Sequence, residues 1–434
     1  MKKLCIILLL LCTQVANSFP TVTEINPAIY SLMQQVDIDS LEAKIRYMQN
    51  LGVRAADCPE AVETQNYLYQ KYQNYNLDLE IQYVVCDYQC PSFWYVACDT
   101  LKDGYTFPAG NVIAIQKGTK YPDEYIIVCS HYDSYRSPGA DDNASGTSGV
   151  LEIARVLSKH LFKRSIIYIN FAAEERGLWG SRAYADRCKA ENKNILGVFN
   201  LDMIGYNYPE WDWEINDYSD MFEPLEIVYN GEPPIAKEFG KYFGEVANLY
   251  LPDIPAKPKW ISLQWPADYG IGDDAPFIQN GYPAMYMGVI LSSVPGFRYP
   301  PCYHAPCDTI GIGKADAGVN SMELVRAYTQ ATLAAIAELA ELDFDSIEED
   351  FINCFIAPNP TNSTATVTLY LKNVGNLTVT LHNSLGQEIM ELHNTFTDTK
   401  IFTKTFSLSH LPFGVYYLKI VHNGNVKVEK VIRN

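Results

Sequence analysis

Four short apolar runs, each leading into a side chain able to bind a cation, constrain this chain more than any other feature of its sequence. The first, 125–129 (YIIVC), continues into Ser130, His131, Tyr132 and Asp133. The second, 165–173 (SIIYINFAA), ends on Glu174 and Glu175, and the third, 195–201 (ILGVFNL), ends on Asp202. The fourth, 283–290 (PAMYMGVI), precedes a loop carrying His304. Nearly continuous apolar runs of this length predict parallel strands covered on both faces. Open α/β sheets place their chemistry at the carboxyl ends of such strands. A histidine satisfied inside a tight turn would account for the first motif alone. Four such endings are not explained by solvation. Only three histidines precede residue 350, and two of them are His131 and His304; the third is His160.

The stretch 126–146 (IIVCSHYDSYRSPGADDNASG) adds a loop with Asp141, Asp142 and Asn143, then small residues opening an amphipathic helix. Two imidazoles with three carboxylates suit zinc, with little thiolate character. If one carboxylate bridges, each of two ions keeps one His and one further carboxylate. That arithmetic fits a two-metal site with ions about 3.5–4 Å apart. On an extended strand neighbouring side chains point to opposite sides. One glutamate of the adjacent pair can therefore bind metal while the other stays free to move protons.

These pieces resemble the M28 family of zinc peptidases, the group of secreted bacterial leucyl-type aminopeptidases. The matching residues are His131-Tyr132-Asp133-Ser134, Gly139-Ala140-Asp141-Asp142-Asn143-Ala144-Ser145-Gly146, and Ala172-Ala173-Glu174-Glu175-Arg176-Gly177 through Gly180-Ser181. Asn200-Leu201-Asp202-Met203 and His304 before Cys307-Asp308-Thr309 complete the set in family order. The likeness covers roughly residues 36–342. It implies a three-layer α/β/α zinc exopeptidase domain with a mixed central sheet. It makes Asp142 the bridging ligand, with His131 and Asp202 on one Zn²⁺ ion, and Glu175 and His304 on the other. Glu174 would be the catalytic base and acid, and Asp133 would hold His131 in its tautomer. The Asp142–Asn143 peptide would be cis, and Asp273 would lie near the metals. No ligand position is substituted. The expected activity is release of amino acids from peptides with a free amino terminus. A glutaminyl cyclase of the same fold, a carboxypeptidase, and a non-catalytic peptide-binding homologue are the alternatives.

Residues 1–18 read as a signal peptide: Lys2 and Lys3, an apolar core over 4–12, and a small-residue cleavage site at Ala16-Asn17-Ser18. The core is too short to span a bilayer, so export without stable membrane insertion is expected. The chain carries 33 basic and 51 acidic side chains, a formal charge of −18. Residues 351–434 hold seven basic and four acidic ones, so the acidic excess lies upstream. Such a surface disfavours nucleic acid and anionic membranes. Nine cysteines follow the leader. Cys58, Cys86, Cys90 and Cys98 cluster as two disulfides would in an oxidising compartment. Cys302 and Cys307 flank His304 and would staple its loop. Cys129 falls within a strand, and the odd count leaves a free thiol.

Residues 19–35 read as an irregular segment. Helices are expected over 39–51, 59–75, 145–160, 182–189 and 322–342, and strands over 79–85 and 111–116. His160, at the far end of its helix, reads as a carboxyl-terminal cap. The aromatic and acidic stretch 206–234 reads as an insertion rimming the site or a loop pinned by Trp211 and Trp213, and 260–276 as a second aromatic loop. The peptidase-like domain spans 36–345 and a linker 346–356. Beyond it, 357–434 alternates in period two over 364–371, 377–382, 401–408 and 415–421, with an Asn423-Gly424 turn. This predicts a small all-β sandwich. Pro358-Asn359-Pro360, Leu411-Pro412-Phe413-Gly414-Val415-Tyr416-Tyr417 and Lys430-Val431-Ile432-Arg433 resemble the type A sorting domain of Bacteroidetes proteins. That implies the type IX secretion machinery as a partner, and a secreted or cell-surface location reached through the periplasm. A carbohydrate- or surface-binding sandwich is the alternative.

Overall fold

In the computed structural model the four apolar runs lie side by side. The structure describes residues 19–86, 104–207, 210–212, 217–219, 225–230, 234–254, 256–261, 272–288, 300–314, 316–343 and 351–434. The leader over 1–18, Cys90 and Cys98 lie outside them. The strands of the first domain are β1 (Asp78–Gln82), β2 (Asn111–Gln116), β3 (Tyr121–His131), β4 (Arg164–Phe171) and β5 (Asn194–Leu201), then β6 (Glu210–Asp212) and β7 (Asp217–Ser219), then β8 (Leu225–Asn230), β9 (Ala256–Ile261) and β10 (Ala284–Met287). Eight of them form one sheet in the order β1-β2-β4-β3-β5-β10-β8-β9, while β6 and β7 pair with each other. The inner strands β4, β3, β5 and β10 run parallel, with Val128 opposite both Tyr168 and Phe199. The β1–β2, β2–β4 and β10–β8 pairs are antiparallel, so the sheet is mixed.

Pleating sorts the apolar residues onto two faces. Ile126, Val128, Ile166, Tyr168, Phe199 and Leu201 join one core, and Ile127, Cys129, Ile167, Ile169 and Val198 join another. The first is covered by α2 (Ile38–Leu51), α3 (Pro59–Gln73), α4 (Gly146–Leu157), α6 (Pro234–Tyr250) and α8 (Met322–Ala340); the second by α5 (Trp179–Ala190) and α7 (Ala275–Gln279). These are the three layers. Val150, Ala154 and Leu157 of α4 are buried as expected, but Leu161 beyond its end is 40% exposed. The aromatic side of α3 is packing: Tyr72 is buried with its hydroxyl donating to Asn170, and Tyr67 stacks on Tyr47.

Three expectations are corrected here. Residues 19–35 are not irregular throughout, because Pro27–Met33 form α1. Asn26 caps it, Pro27 occupies its first turn, and Ile29, Leu32 and Met33 enter the main core. The stretch 206–234 is not wholly a rim, because Leu225–Asn230 enters the sheet as β8; its side chains over 208–234 lie outside the described residues. The cysteine cluster is corrected in part. Cys58 carries a free thiol, so it belongs to neither of the two disulfides expected there. Cys302 and Cys307 are bonded, and Cys129 is buried and free.

The second domain is a sandwich of β11 (Phe351–Ala357), β12 (Thr364–Leu371) and β15 (Ile401–Ser407) against β14 (Glu388–Thr397), β13 (Gly375–His382), β16 (Gly414–His422) and β17 (Asn425–Arg433). Val367, Leu369, Val379, Leu381, Leu418 and Ile420 form its own core. Strands β14 and β17 escaped the sequence reading because both lie at a sheet edge and bury few side chains. Phe355 and Tyr370 reach into the core of the first domain, and the Tyr370 hydroxyl donates to Asn26 Oδ1 at 2.9 Å.

Helices α2 and α4 are joined by a buried ion cluster. The Glu152 carboxylate accepts from Lys44 Nζ at 2.8 Å, Arg155 Nε at 2.9 Å, Ser40 Oγ at 3.0 Å and the Asp37 amide at 2.9 Å. Burial alone would raise its pKa, but the hydrogen bonds from Arg155 and Lys44 outweigh it and hold the carboxyl down to about 2. A depressed carboxylate stabilises the fold above its unfolded pKa and loses that effect as pH falls through the folded one. Glu152→Gln leaves Lys44 buried without its charge partner, and is expected to cost about 3–5 kcal/mol at pH 7. The gap between wild-type and variant in denaturant melts should narrow from near pH 4.5 downward.

Candidate metal centre

Each site residue is delivered by the end of a parallel strand or by a loop tied to one. His131 is the last residue of β3. After β4 the chain turns at Ala173, with φ 59°, and presents Glu174 and Glu175. Asp202 follows β5 directly. Between β3 and α4 the chain makes a tight turn over Ala140–Ser145 that contains a cis Asp142–Asn143 peptide, as the resemblance implied. Asn143 anchors the turn, donating to the Leu201 carbonyl at 2.9 Å and accepting from the Gly146 amide at 2.9 Å. A Cβ on Gly146 would stand 2.1 Å from that carbonyl, so only glycine opens α4 here. His304, at φ 54°, sits in the loop closed by the Cys302–Cys307 disulfide, its ring stacked on Tyr303 and edge-on to Tyr135.

These elements bring five side chains into two overlapping groups that share one residue. His131 Nε2 lies 3.3 Å from Asp142 Oδ1 and 3.3 Å from Asp202 Oδ1. His304 Nε2 lies 3.3 Å from Asp142 Oδ2 and 3.0 Å from Glu175 Oε2. Within each group the facing atoms lie within 4.8 Å of one another, and Asp142 offers one oxygen to each. Asp202 Oδ1, Glu175 Oε1 and His304 Nε2 are buried with no hydrogen-bond partner. Buried atoms of that kind are a cost to the fold unless something pairs with them. An imidazole and carboxylates converging on each of two points form a donor set for zinc. The residues present fit the metal. Among the described residues, no further group of such side chains lies close enough to bind an ion.

The charge distribution points the same way. Burial pushes Glu175 up to about 8, and it raises Glu174 and Asp202 as well. Asp142 is lowered despite burial, because the facing His131 and His304 imidazoles favour its charged form. Burial would lower both imidazoles, yet the carboxylates around them raise His131, and raise His304 to about 10. Glu174 belongs to neither ligand group. Its amide and that of Glu175 donate to the two Asp133 oxygens at 3.1 and 3.3 Å. His131 Nδ1 stands 3.1 Å from the Asp133 carbonyl and 3.6 Å from its carboxylate. Asp133 therefore orients the imidazole mainly through its backbone, while its carboxylate fixes the glutamate pair.

Asp273 is fully buried beside Asp202, and burial pushes it up to about 7. His160 lies away from these groups, its ring 6.0 Å from Phe355. Sequence reasoning missed the work of Asp308, Asp141 and Arg54. Asp308 accepts from the amides of Asp141 and Asp142 at 2.7 and 3.2 Å, and Asp141 accepts from the Gly205 amide at 2.7 Å. Only the placing of Asp308 four residues after His304 hinted at the first of these.

Residues 111–329 match the model of Peptidase family M28, and residues 356–434 match that of the Secretion system C-terminal sorting domain. Among curated proteins, the chain is similar to a probable zinc metalloprotease of Pyrenophora tritici-repentis, 26% identical over 284 residues, 58% of this chain and 64% of that one. It is also similar to aminopeptidase YwaD of Bacillus subtilis, 47% identical over 102 residues, 23% of this chain and 22% of that one. The chain spans less than two thirds of the length of these relatives. Among solved structures, the aminopeptidase of Aneurinibacillus sp. strain AM-1 is 19% identical with a TM-score of 0.54, covering 73% of this chain and 97% of that one. The Porphyromonas gingivalis glutaminyl cyclase is 17% identical with a TM-score of 0.53, covering 70% and 99%. Both share the mixed sheet flanked by helices. The sorting domain implies secretion or a cell-surface location, and no helix among the described residues is long and apolar enough to cross a membrane.

The bonds to Asp133 generate a prediction. Asp133→Ala strips the acceptor from two backbone amides at the start of the glutamate pair, a loss of about 1–3 kcal/mol for each one left buried. Urea unfolding should show that loss, and Asp133→Asn, which keeps one acceptor oxygen, should recover part of it.

Proposed function

The chain belongs to peptidase family M28, and from that premise we propose that it is a secreted two-zinc aminopeptidase that releases amino acids from peptides with a free amino terminus. The observation that carries this is Asp142, whose two oxygens each face a different imidazole–carboxylate pair. His131, Asp142 and Asp202 would hold one ion, and Asp142, Glu175 and His304 the other. Zinc bound there would polarise a scissile carbonyl and bring the acidity of a water near neutrality.

The remaining work falls to the chain. Glu174 is adjacent to a ligand but belongs to neither group, and burial raises its pKa. A raised pKa suits a carboxylate that takes a proton from the attacking water and returns it to the leaving amine. Asp133 keeps Glu174 in place through its amide, and the His131 ring through the backbone carbonyl. The acidic surface upstream of residue 351 favours substrates carrying a free α-amino group. The unbroken run from Glu174-Glu175 through Gly180-Ser181 supports the aminopeptidase reading over a cyclase. Around this core we place a signal peptide over 1–18, the peptidase domain over 36–345 and a sorting domain over 357–434 read by the type IX machinery; the linker expected over 346–356 is shorter, because Phe351–Ala357 pairs with β12 as the first strand of the sandwich.

Glu174→Gln should keep two equivalents of zinc and bind substrate while losing roughly 10²- to 10⁴-fold in turnover. Asp142→Asn should lose both equivalents together, as elemental analysis would show. With a panel of free, amino-terminally acetylated and glutaminyl peptides, amino acids should appear from the free ones and nothing from the acetylated ones. Pyroglutamate formation with no amino acid released from any peptide would overturn this reading in favour of the cyclase.

A further inference from the structure

We propose that Arg54 is the positioning residue of the metal centre, fixing the loop that carries Asp142. Arg54 follows α2 and is fully buried. Its guanidinium donates from Nε to the Tyr132 carbonyl at 3.0 Å and from Nη2 to the Gly139 carbonyl at 2.9 Å. Nη1 donates to the Met48 carbonyl at 3.0 Å and to the Pro138 carbonyl, with the Gly52 carbonyl at 3.5 Å. Its backbone amide donates to the Ser134 hydroxyl at 3.0 Å, and its carbonyl accepts from the Ser134 amide at 3.3 Å. One side chain thus holds both ends of the segment between His131 and Asp142. The fit is tight: Gly139 has φ 57°, and a Cβ there would lie 2.8 Å from Nη2.

Every direct side-chain partner of Arg54 is a neutral carbonyl. A buried guanidinium needs its charge answered, or the desolvation cost stands uncompensated. Burial lowers its pKa to about 10, and the charges that hold it up are Asp308, Asp133, Asp142 and Glu175. Two of these are proposed ligands, and the other two grip the ligand loop and the glutamate pair. Asp308 accepts from the amides of Asp141 and Asp142, so the loop is held at its carbonyls by a guanidinium and at its amides by a carboxyl group. Lysine cannot replace this, because a point charge with three donors does not span the planar fork of an arginine.

The inference rests on the zinc reading, and its test reads metal affinity directly. Chelator competition on purified full-length protein should show Arg54→Lys releasing both zinc equivalents at roughly tenfold or more lower chelator activity than wild-type, in the range seen for partners of metal ligands. The visible spectrum of the Co²⁺-substituted variant should change, and kcat should fall with KM near its wild-type value, since Arg54 touches no substrate. Glu152→Gln is the control, because it loosens α2 from α4 without touching the loop. It should lower stability and leave zinc affinity unchanged. Wild-type zinc affinity and an unaltered Co²⁺ spectrum in folded Arg54→Lys would overturn the proposal. So would an equal loss of zinc in Glu152→Gln, which would make Arg54 a merely structural residue. If wild-type itself binds no zinc, the function proposed above fails instead, and the two failures stay distinct.

Discussion

Burying carboxylates is what the rest of this structure has to accommodate. Asp133, Asp141, Asp142, Asp202, Asp273 and Asp308 are all less than 7% exposed, and they converge beside the glutamate pair. An ionised carboxylate removed from water costs several kcal/mol unless donors or cations replace the lost hydration. The chain divides the work. Asp133, Asp141 and Asp308 are met by backbone amides of the very loops that carry the proposed ligands. Asp142, Asp202 and Glu175 are met by imidazoles. The first set gives the turns their shape, and the second gives the site its appetite for a cation.

That convergence requires parallel strands. Residues at the carboxyl ends of β3, β4 and β5 can meet only if those ends lie on one side of the sheet. Crossovers through α4 and α5 achieve this, and α4 begins at the site itself, with Gly146 against Leu201 and Asn143. The antiparallel strands, β1 and β2 on one flank and β8 next to β10 on the other, carry none of the proposed ligands. They widen the sheet so that both faces have a core.

Legibility in the sequence followed the range of the interactions. The strand runs were readable because burial on both faces leaves an unbroken apolar signature, and ligand types stand directly after them. The 12-residue helix α4 was readable from its small-residue start and apolar spacing. What escaped is held by contacts distant in sequence. Arg54 meets a loop 78–85 residues away, and Asp308 one 166 or 167 residues away, so neither leaves a local pattern. Helix α1 looked irregular because seven residues give too little periodicity, and its stability comes from a core built mostly downstream. Strand β8 was hidden because its neighbours in the sheet, β10 and β9, come later in the chain. Edge strands β14 and β17 expose too many side chains to announce a face.

The position of the sandwich follows from the same geometry. Helix α4 starts at the ligand loop and, at 12 residues, extends about 18 Å away from it. Past its far end lies His160, whose ring packs near Phe355 of the sandwich. Tyr370 meets Asn26, which also accepts the Ala28 amide as the cap of α1 and donates its own amide to the Tyr250 hydroxyl. The second domain therefore docks at the end of the first that is remote from the proposed ligands, on a helix cap and an aromatic side chain rather than on the strand ends. A domain used as a secretion address can be attached there, and detached there, with no ligand of the site changing its partners. Its departure would replace one hydroxyl donor at the Asn26 cap by water and uncover the core surface against which Phe355 and Tyr370 pack.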